Sequence, residues 1–218
     1  MIRSAAFLLG IGIFLGSAGA AGAPLPASRA STVATDDAIA AISRVYARNA
    51  HLKAYTFDAR VYVVMRRFPW FRFHLDGRGI YRRGGPYRIA FYDLPWWAKA
   101  LHIDHFSMRS LDPRAWTSQY DVVSIRHSGD STLLEMRDRA HSSLSGISAQ
   151  IDPSGVRQLT WSYDNGGYVK LNVTPGTSAY ILPAAMNADI VTPRMVATAT
   201  ASFENYRLVT ATAPAPHP

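Results

Sequence analysis

The sequence predicts a mainly β fold of the α+β kind: one large antiparallel sheet, curled into a barrel or half-barrel, with a helix as cover. Two observations carry this expectation. From Lys53 onward, hydrophobicity alternates with period two in nine or more short segments separated by turn residues. Only one segment, residues 35–49, shows clear helical spacing.

The helix comes first. Thr35 is a good N-cap, and Asp36 and Asp37 complement the helix dipole in the first turn. Ile39, Ile42, Val45 and Tyr46 then form an apolar stripe, and Asn49 is a plausible stop.

The strands follow. Ala59, Val61, Val63 and Met65 share one face, as do Phe71, Phe73 and Leu75, and Phe68-Pro69-Trp70 connects the two runs as a long hairpin. Gly77 and Gly79 read as an interruption, a bulge or a bend. Ile80–Arg83 and Tyr87–Tyr92 pair around Gly84-Gly85-Pro86, and residues 93–118 are less regular, with a loop or short helix at Leu94-Pro95-Trp96-Trp97. Further strands are expected at Tyr120–Arg126, Thr132–Arg137, Ile147–Ile151, Val156–Tyr163, Tyr168–Val173 and Met195–Val209. Asp152-Pro153-Ser154-Gly155 and Asn165-Gly166 are strong turn sequences between them. The chain shows no repeats and no second domain.

The amino terminus predicts export. Arg3 precedes an uncharged apolar stretch, Ala5 to Leu15, and then small residues up to Ala23. This is the three-part signal pattern, with cleavage after Ala20 or Ala23, and the apolar run is short for a spanning helix. The expected division is a signal peptide at 1–23, a flexible leader at 24–34, a single domain at 35–210 and a loose tail at 211–218. The expected location is the periplasm. The chain has no cysteine, which removes disulfides, thiolate catalysis, cysteine metal sites and lipidation at a cleavage-site cysteine. The net charge is +8, from 23 basic and 15 acidic residues. For an exported protein this suits anionic membrane surfaces or acidic partners better than nucleic acid.

Catalytic motifs are lacking. There is no nucleophile elbow, Gly-rich phosphate loop or metalloprotease His-Glu pair. His102-Ile103-Asp104-His105 is the one dense cluster of candidate ligands, and without a partner elsewhere it reads as loop residues. Glutamate occurs only at Glu135 and Glu204, both within strands, where cross-strand ion pairs are expected. The reading is therefore a non-enzyme without cofactor or metal. The distinctive feature is bulk: strand faces such as Val61/Val63/Met65 are apolar, yet Tyr62, Val64 and Trp70 lie on the opposite side. One helix cannot cover such a sheet. Either an apolar groove takes a ligand, or helices within 93–118 and 176–194 supply the cover. Two segments mix aromatics with basic residues, Arg66 to Phe73 and Pro95-Trp96-Trp97 near Lys99. They suit a membrane interface; for the hairpin, ordinary strand packing under arginine stems is the simpler reading, while adjacent bulky aromatics in a loop, as at Trp96-Trp97, rarely both find a core.

The order of parts resembles the periplasmic lipoprotein-carrier superfamily, which includes lipoprotein carriers, their outer-membrane receptor counterparts and outer-membrane lipoprotein-sorting proteins. The carrying features are the helix ending near Asn49, the long hairpin, the stretch from Gly79 through Arg82-Arg83 to Tyr87-Arg88, Ile151-Asp152-x-x-Gly155 leading into Trp161-Ser162-Tyr163, and the terminal Phe203-Glu204-Asn205-Tyr206-Arg207. The resemblance spans about Asp36 to Val209. It implies an unclosed half-barrel covered by a few helices, which lid an apolar groove for acyl chains. It implies a periplasmic carrier of a lipid, lipoprotein acyl chain or other hydrophobic ligand. On that reading Val61, Val63, Met65, Phe73 and Tyr81 form the groove wall. Trp96 and Trp97 serve as lid or membrane contact, and Arg83 and Arg88 contact a headgroup or the lid. Arg83 matches the carrier's lid-bonding arginine, but Gly84-Gly85 separates it from Pro86, a departure that favours a relative taking other lipids. The expected partners are the lipid or acylated ligand and, transiently, an anionic membrane surface. The alternative is an envelope sensor or scaffold that binds a protein partner on the same fold.

Overall fold

The first and last strands of the domain lie side by side in the middle of one antiparallel sheet. The structure is a computed structural model, in which residues 29–67, 70–83, 87–92, 105–108, 113, 116–140, 143–193 and 196–210 are described. The predicted signal peptide, the tail and Trp96 and Trp97 lie outside these residues.

Eleven strands form the sheet. In chain order they are β1 (Leu52–Met65), β2 (Arg72–Arg82), β3 (Tyr87–Tyr92), β4 (His105–Met108), β5 (Tyr120–Ser128), β6 (Ser131–Asp138), β7 (Leu144–Asp152), β8 (Gly155–Tyr163), β9 (Tyr168–Pro175), β10 (Pro183–Val191) and β11 (Val196–Thr210). Their spatial order is β4-β3-β2-β1-β11-β10-β9-β8-β7-β6-β5. The chain thus runs outward to one edge, crosses to the other edge, and meanders back to β1.

This topology forces curvature. Eleven flat strands about 4.8 Å apart would span about 48 Å. The link from Met108 to Tyr120 reaches at most about 40 Å when extended, and it contains a helical turn at Trp116–Gln119 that shortens it. The two edges must therefore curl toward each other. They do not pair, and the result is the unclosed half-barrel.

Helix α1 spans Arg29–Val45 and continues as a 3₁₀ turn at Tyr46–Asn49. It starts six residues before Thr35. No glycine or proline lies between Arg29 and Thr35 to stop it, so this part of the expected leader is helical. The buried stripe is Ala38, Ile42 and Tyr46 with Asn49, while Ile39 is 42% exposed. The i, i+4 row, rather than Ile39, faces inward, and α1 packs against β5. The single turn α2 (Trp116–Gln119) buries Trp116 almost completely.

Two sequence expectations are corrected. Gly77 and Gly79 do not interrupt a strand: β2 runs through both with unbroken register to β1. Phe57 lies opposite Gly79, and a Cβ there would sit 2.0 Å from its ring, so the glycine makes room for the aromatic side chain. Gly77 does the same for Phe91, 2.7 Å from where its Cβ would be. No helix covers residues 183–191 either; they form β10, between β9 and β11.

Candidate functional site

The even and odd residues of β1 go to opposite faces of the sheet. Tyr55, Phe57 and Ala59 are buried on the inner face, while Val61 and Val63 further along are only half-buried. The inner face thus has two ends. At one, α1 and its 3₁₀ turn close over the sheet. Toward the other, Val61, Phe73, Trp161, Ala188 and Ala201 pack half-buried on the core. Beyond them Met65, Val169, Ile190 and Ala197 form a second small cluster.

The closed end is built from aromatics. Cross-strand register sets Tyr55 beside Tyr81, with ring centroids 4.9 Å apart. Tyr87 stands 4.8 Å from Tyr81, and Tyr206 lies 5.6 Å from Tyr55, edge to face. Phe203 meets Phe57 at 5.4 Å, also edge to face. Such tilted and edge contacts suit the ring quadrupoles. The hydroxyls are used internally: Tyr55 and Tyr87 share a short hydrogen bond, and Tyr206 donates to the Pro183 carbonyl at 2.5 Å. Tyr46 accepts the Val156 N–H at 3.3 Å. Burial pushes the Tyr55, Tyr87 and Tyr206 phenols well above their usual range, with neighbouring tyrosines adding to the shift at Tyr55. These groups stay neutral and can donate a proton only as a hydrogen bond.

A clasp holds this end. The Asn49 Nδ2 donates to the Ile181 carbonyl at 2.9 Å, and its Oδ1 accepts the Ile181 N–H at 2.9 Å. A buried side-chain amide thereby pairs with the backbone of the β9–β10 loop as a neighbouring strand would. The β7–β8 turn joins them. Gly155 has φ of +114°, and a Cβ there would stand 2.5 Å from Ile181 and 3.2 Å from the Tyr46 hydroxyl. Only glycine permits both the backbone angle and the approach. The Asp152 carboxylate braces the same turn, accepting the Ser154 N–H at 2.8 Å.

Under the clasp lies a cavity of about 40 Å³, walled by Tyr46, Tyr55, Tyr81, Tyr87, Leu182 and Met186 among others. It is room for a few water molecules, against the roughly 300 Å³ or more of a typical ligand pocket. The cavity as it stands is too small for an acyl chain.

The structure places the residues singled out from sequence as follows. Tyr81 lines the cavity. Val61 and Phe73 are half-buried against the main core, Val63 is half-buried beside them on the inner face, and Met65 belongs to the second cluster. Arg83 and Arg88 are exposed and do not line the cavity; the Arg83 N–H bonds the Lys53 carbonyl at 2.8 Å. Tyr46, Asn49, Tyr87, Ile181 and Met186 complete the site, and sequence reasoning assigns none of them a site role. Glu135 and Glu204 make the expected cross-strand pairs, with Arg126 and with Arg60. The Ser124 hydroxyl, then Arg126, lowers the Glu135 carboxyl. His102 to Asp104 lie outside the described residues, and among those described no group of His, Asp or Glu could hold a metal. No helix among them is long and apolar enough to cross a membrane.

No protein-family model matches the chain, and no curated protein matches it. Solved structures do. A LolA superfamily protein from Nitrosomonas europaea aligns with a TM-score of 0.53 at 6% identity, covering 80% of this chain and 94% of that one. A DUF1329 family protein from Desulfovibrio piger gives 0.58 at 10% identity, covering 83% and 95%. A candidate outer membrane lipoprotein-sorting protein domain from Vibrio parahaemolyticus gives 0.52 at 9% identity, covering 82% and 95%. The resemblance read from the order of sequence parts therefore holds at the level of the fold: this chain has the half-barrel architecture of LolA-like and lipoprotein-sorting proteins.

Proposed function

We propose that the protein is a non-enzymatic binding or carrier protein of the periplasm, exported by a cleaved signal peptide, that holds a lipid or acylated ligand on the inner face of its sheet. One observation carries the reading. Inward-facing apolar side chains at Val61, Val63, Phe73 and Trp161 remain half-buried, although the same face is densely packed under the helix. A sheet that only needed a core would bury them. An acyl chain laid along this row would do so, at about 0.8 kcal/mol per methylene. Extending it under the helix requires release of the two Asn49 bonds, at about 1 kcal/mol net each. Burying about three methylenes offsets that.

The test is titration with a fluorescent long-chain fatty acid, for wild type and for Val63→Asp. The reading expects saturable binding near one per chain, weakened tenfold or more by the charge while circular dichroism stays native. Equal binding by both would overturn it.

A further inference from the structure

We propose that the tip of the β1–β2 hairpin, at the end of the sheet remote from the cavity, docks the protein onto the surface of an anionic phospholipid bilayer. The tip carries Trp70, 74% exposed, and Phe71, 46% exposed. Arg66, Arg67 and Arg72 beside them are exposed as well. Two large, exposed aromatics lie among three arginines in the sequence. They match a lipid interface, where amphipathic rings sit at headgroup depth and arginine forks take phosphate.

Two further features support the assignment. The flanks of the tip are tied to the sheet: the Met65 N–H bonds the Phe71 carbonyl at 2.9 Å, the Arg66 N–H bonds the Val196 carbonyl at 2.7 Å, and the Arg67 guanidinium donates to the Pro193 carbonyl at 3.3 Å. The charge is also uncompensated locally. Among the described residues no carboxylate lies within ion-pair distance of Arg66, Arg67 or Arg72. Of the acidic residues on neighbouring strands, Asp76 stands opposite Arg60 and Asp189 stands opposite Lys170. Asp164 follows β8, four strands from β1 in the sheet. The proposal does not require the inner face to hold lipid.

The experiment is co-sedimentation of the purified protein with large vesicles of phosphatidylethanolamine and phosphatidylglycerol, and with phosphatidylcholine vesicles, at low and high salt. We expect binding to the anionic vesicles only, weakened by salt. Each of Arg66→Gln, Arg67→Gln and Arg72→Gln should weaken it about fivefold, and Trp70→Ser with Phe71→Ser should abolish retention at high lipid. All five positions are exposed, so circular dichroism should remain native. Absence of binding to anionic vesicles, or tip variants that bind as wild type does, would overturn the proposal; a tip that instead captured a protein would do the same. Fatty-acid titration of the same variants separates this from the groove reading, since tip changes should leave it unaltered.

Discussion

Asn49 and Ile181, 132 residues apart, are joined by two hydrogen bonds of 2.9 Å that close in both directions between one side-chain amide and one backbone unit. This clasp ties the end of the helix to the β9–β10 loop beside the cavity, which both residues line. Opening this end to a chain breaks the clasp, together with the bond from the Val156 N–H to the Tyr46 hydroxyl. Asn49→Ala should cost about 1–3 kcal/mol in urea unfolding, because the Ile181 N–H and carbonyl lose their partner. Asn49→Asp keeps the acceptor but sets a carboxylate oxygen against the Ile181 carbonyl at a buried site, and should cost at least as much. Both should speed uptake of a fatty-acid probe in stopped-flow mixing; slower uptake would mean the clasp is not a gate.

Gly79 is replaceable only together with Phe57. A Cβ at Gly79 would stand 2.0–2.6 Å from three carbons of the Phe57 ring. Gly79→Ala should destabilise by about 1–3 kcal/mol through overpacking, and adding Phe57→Leu should recover most of that loss. A double variant no better than the sum of the two single ones would show that the ring is not the obstacle.

One hydrogen bond joins the two buried hydroxyls of Tyr55 and Tyr87. Tyr55→Phe alone should cost about 1 kcal/mol or more by leaving Tyr87 unpaired, while the double change to phenylalanine should approach neutrality.

The same tyrosines set the alkaline limit. Burial raises their folded pKa above the unfolded value near 10, so the folded state holds its protons more tightly. Their contribution is complete below pH 10 and declines as pH rises above it. Phenolate absorbance should therefore appear in two stages, exposed tyrosines first and the buried set together with loss of the fold. A single smooth titration with the fold intact would contradict this.

Much of the sheet was legible in the sequence because its turns are chemically marked. Asp152-Pro153-Ser154-Gly155 and Asn165-Gly166 sit where β7, β8 and β9 meet. β10 was not legible: Pro183, Ala184, Ala185 and Ala188 lack the branched alternation of a strand, and pairing with β9 and β11 decides its state. The glycines of β2 misled because their partners, Phe57 and Phe91, come from neighbouring strands. The row Val61, Val63 and Met65 could be read from period two, but the tyrosine cluster could not. Tyr55, Tyr81, Tyr87 and Tyr206 meet only through register and the β1–β11 pairing. Asn49 looked like a helix stop, and nothing near it in the chain announces Ile181.

The central claim, that the inner face of the half-barrel holds an acylated ligand, is tested most directly by native mass spectrometry of protein purified without detergent, followed by organic extraction. The account predicts a phospholipid or other acylated species at close to one per chain, reduced in Val63→Asp. A clean apo mass that persists after incubation with envelope lipids would contradict it and turn attention to a protein partner on the same sheet.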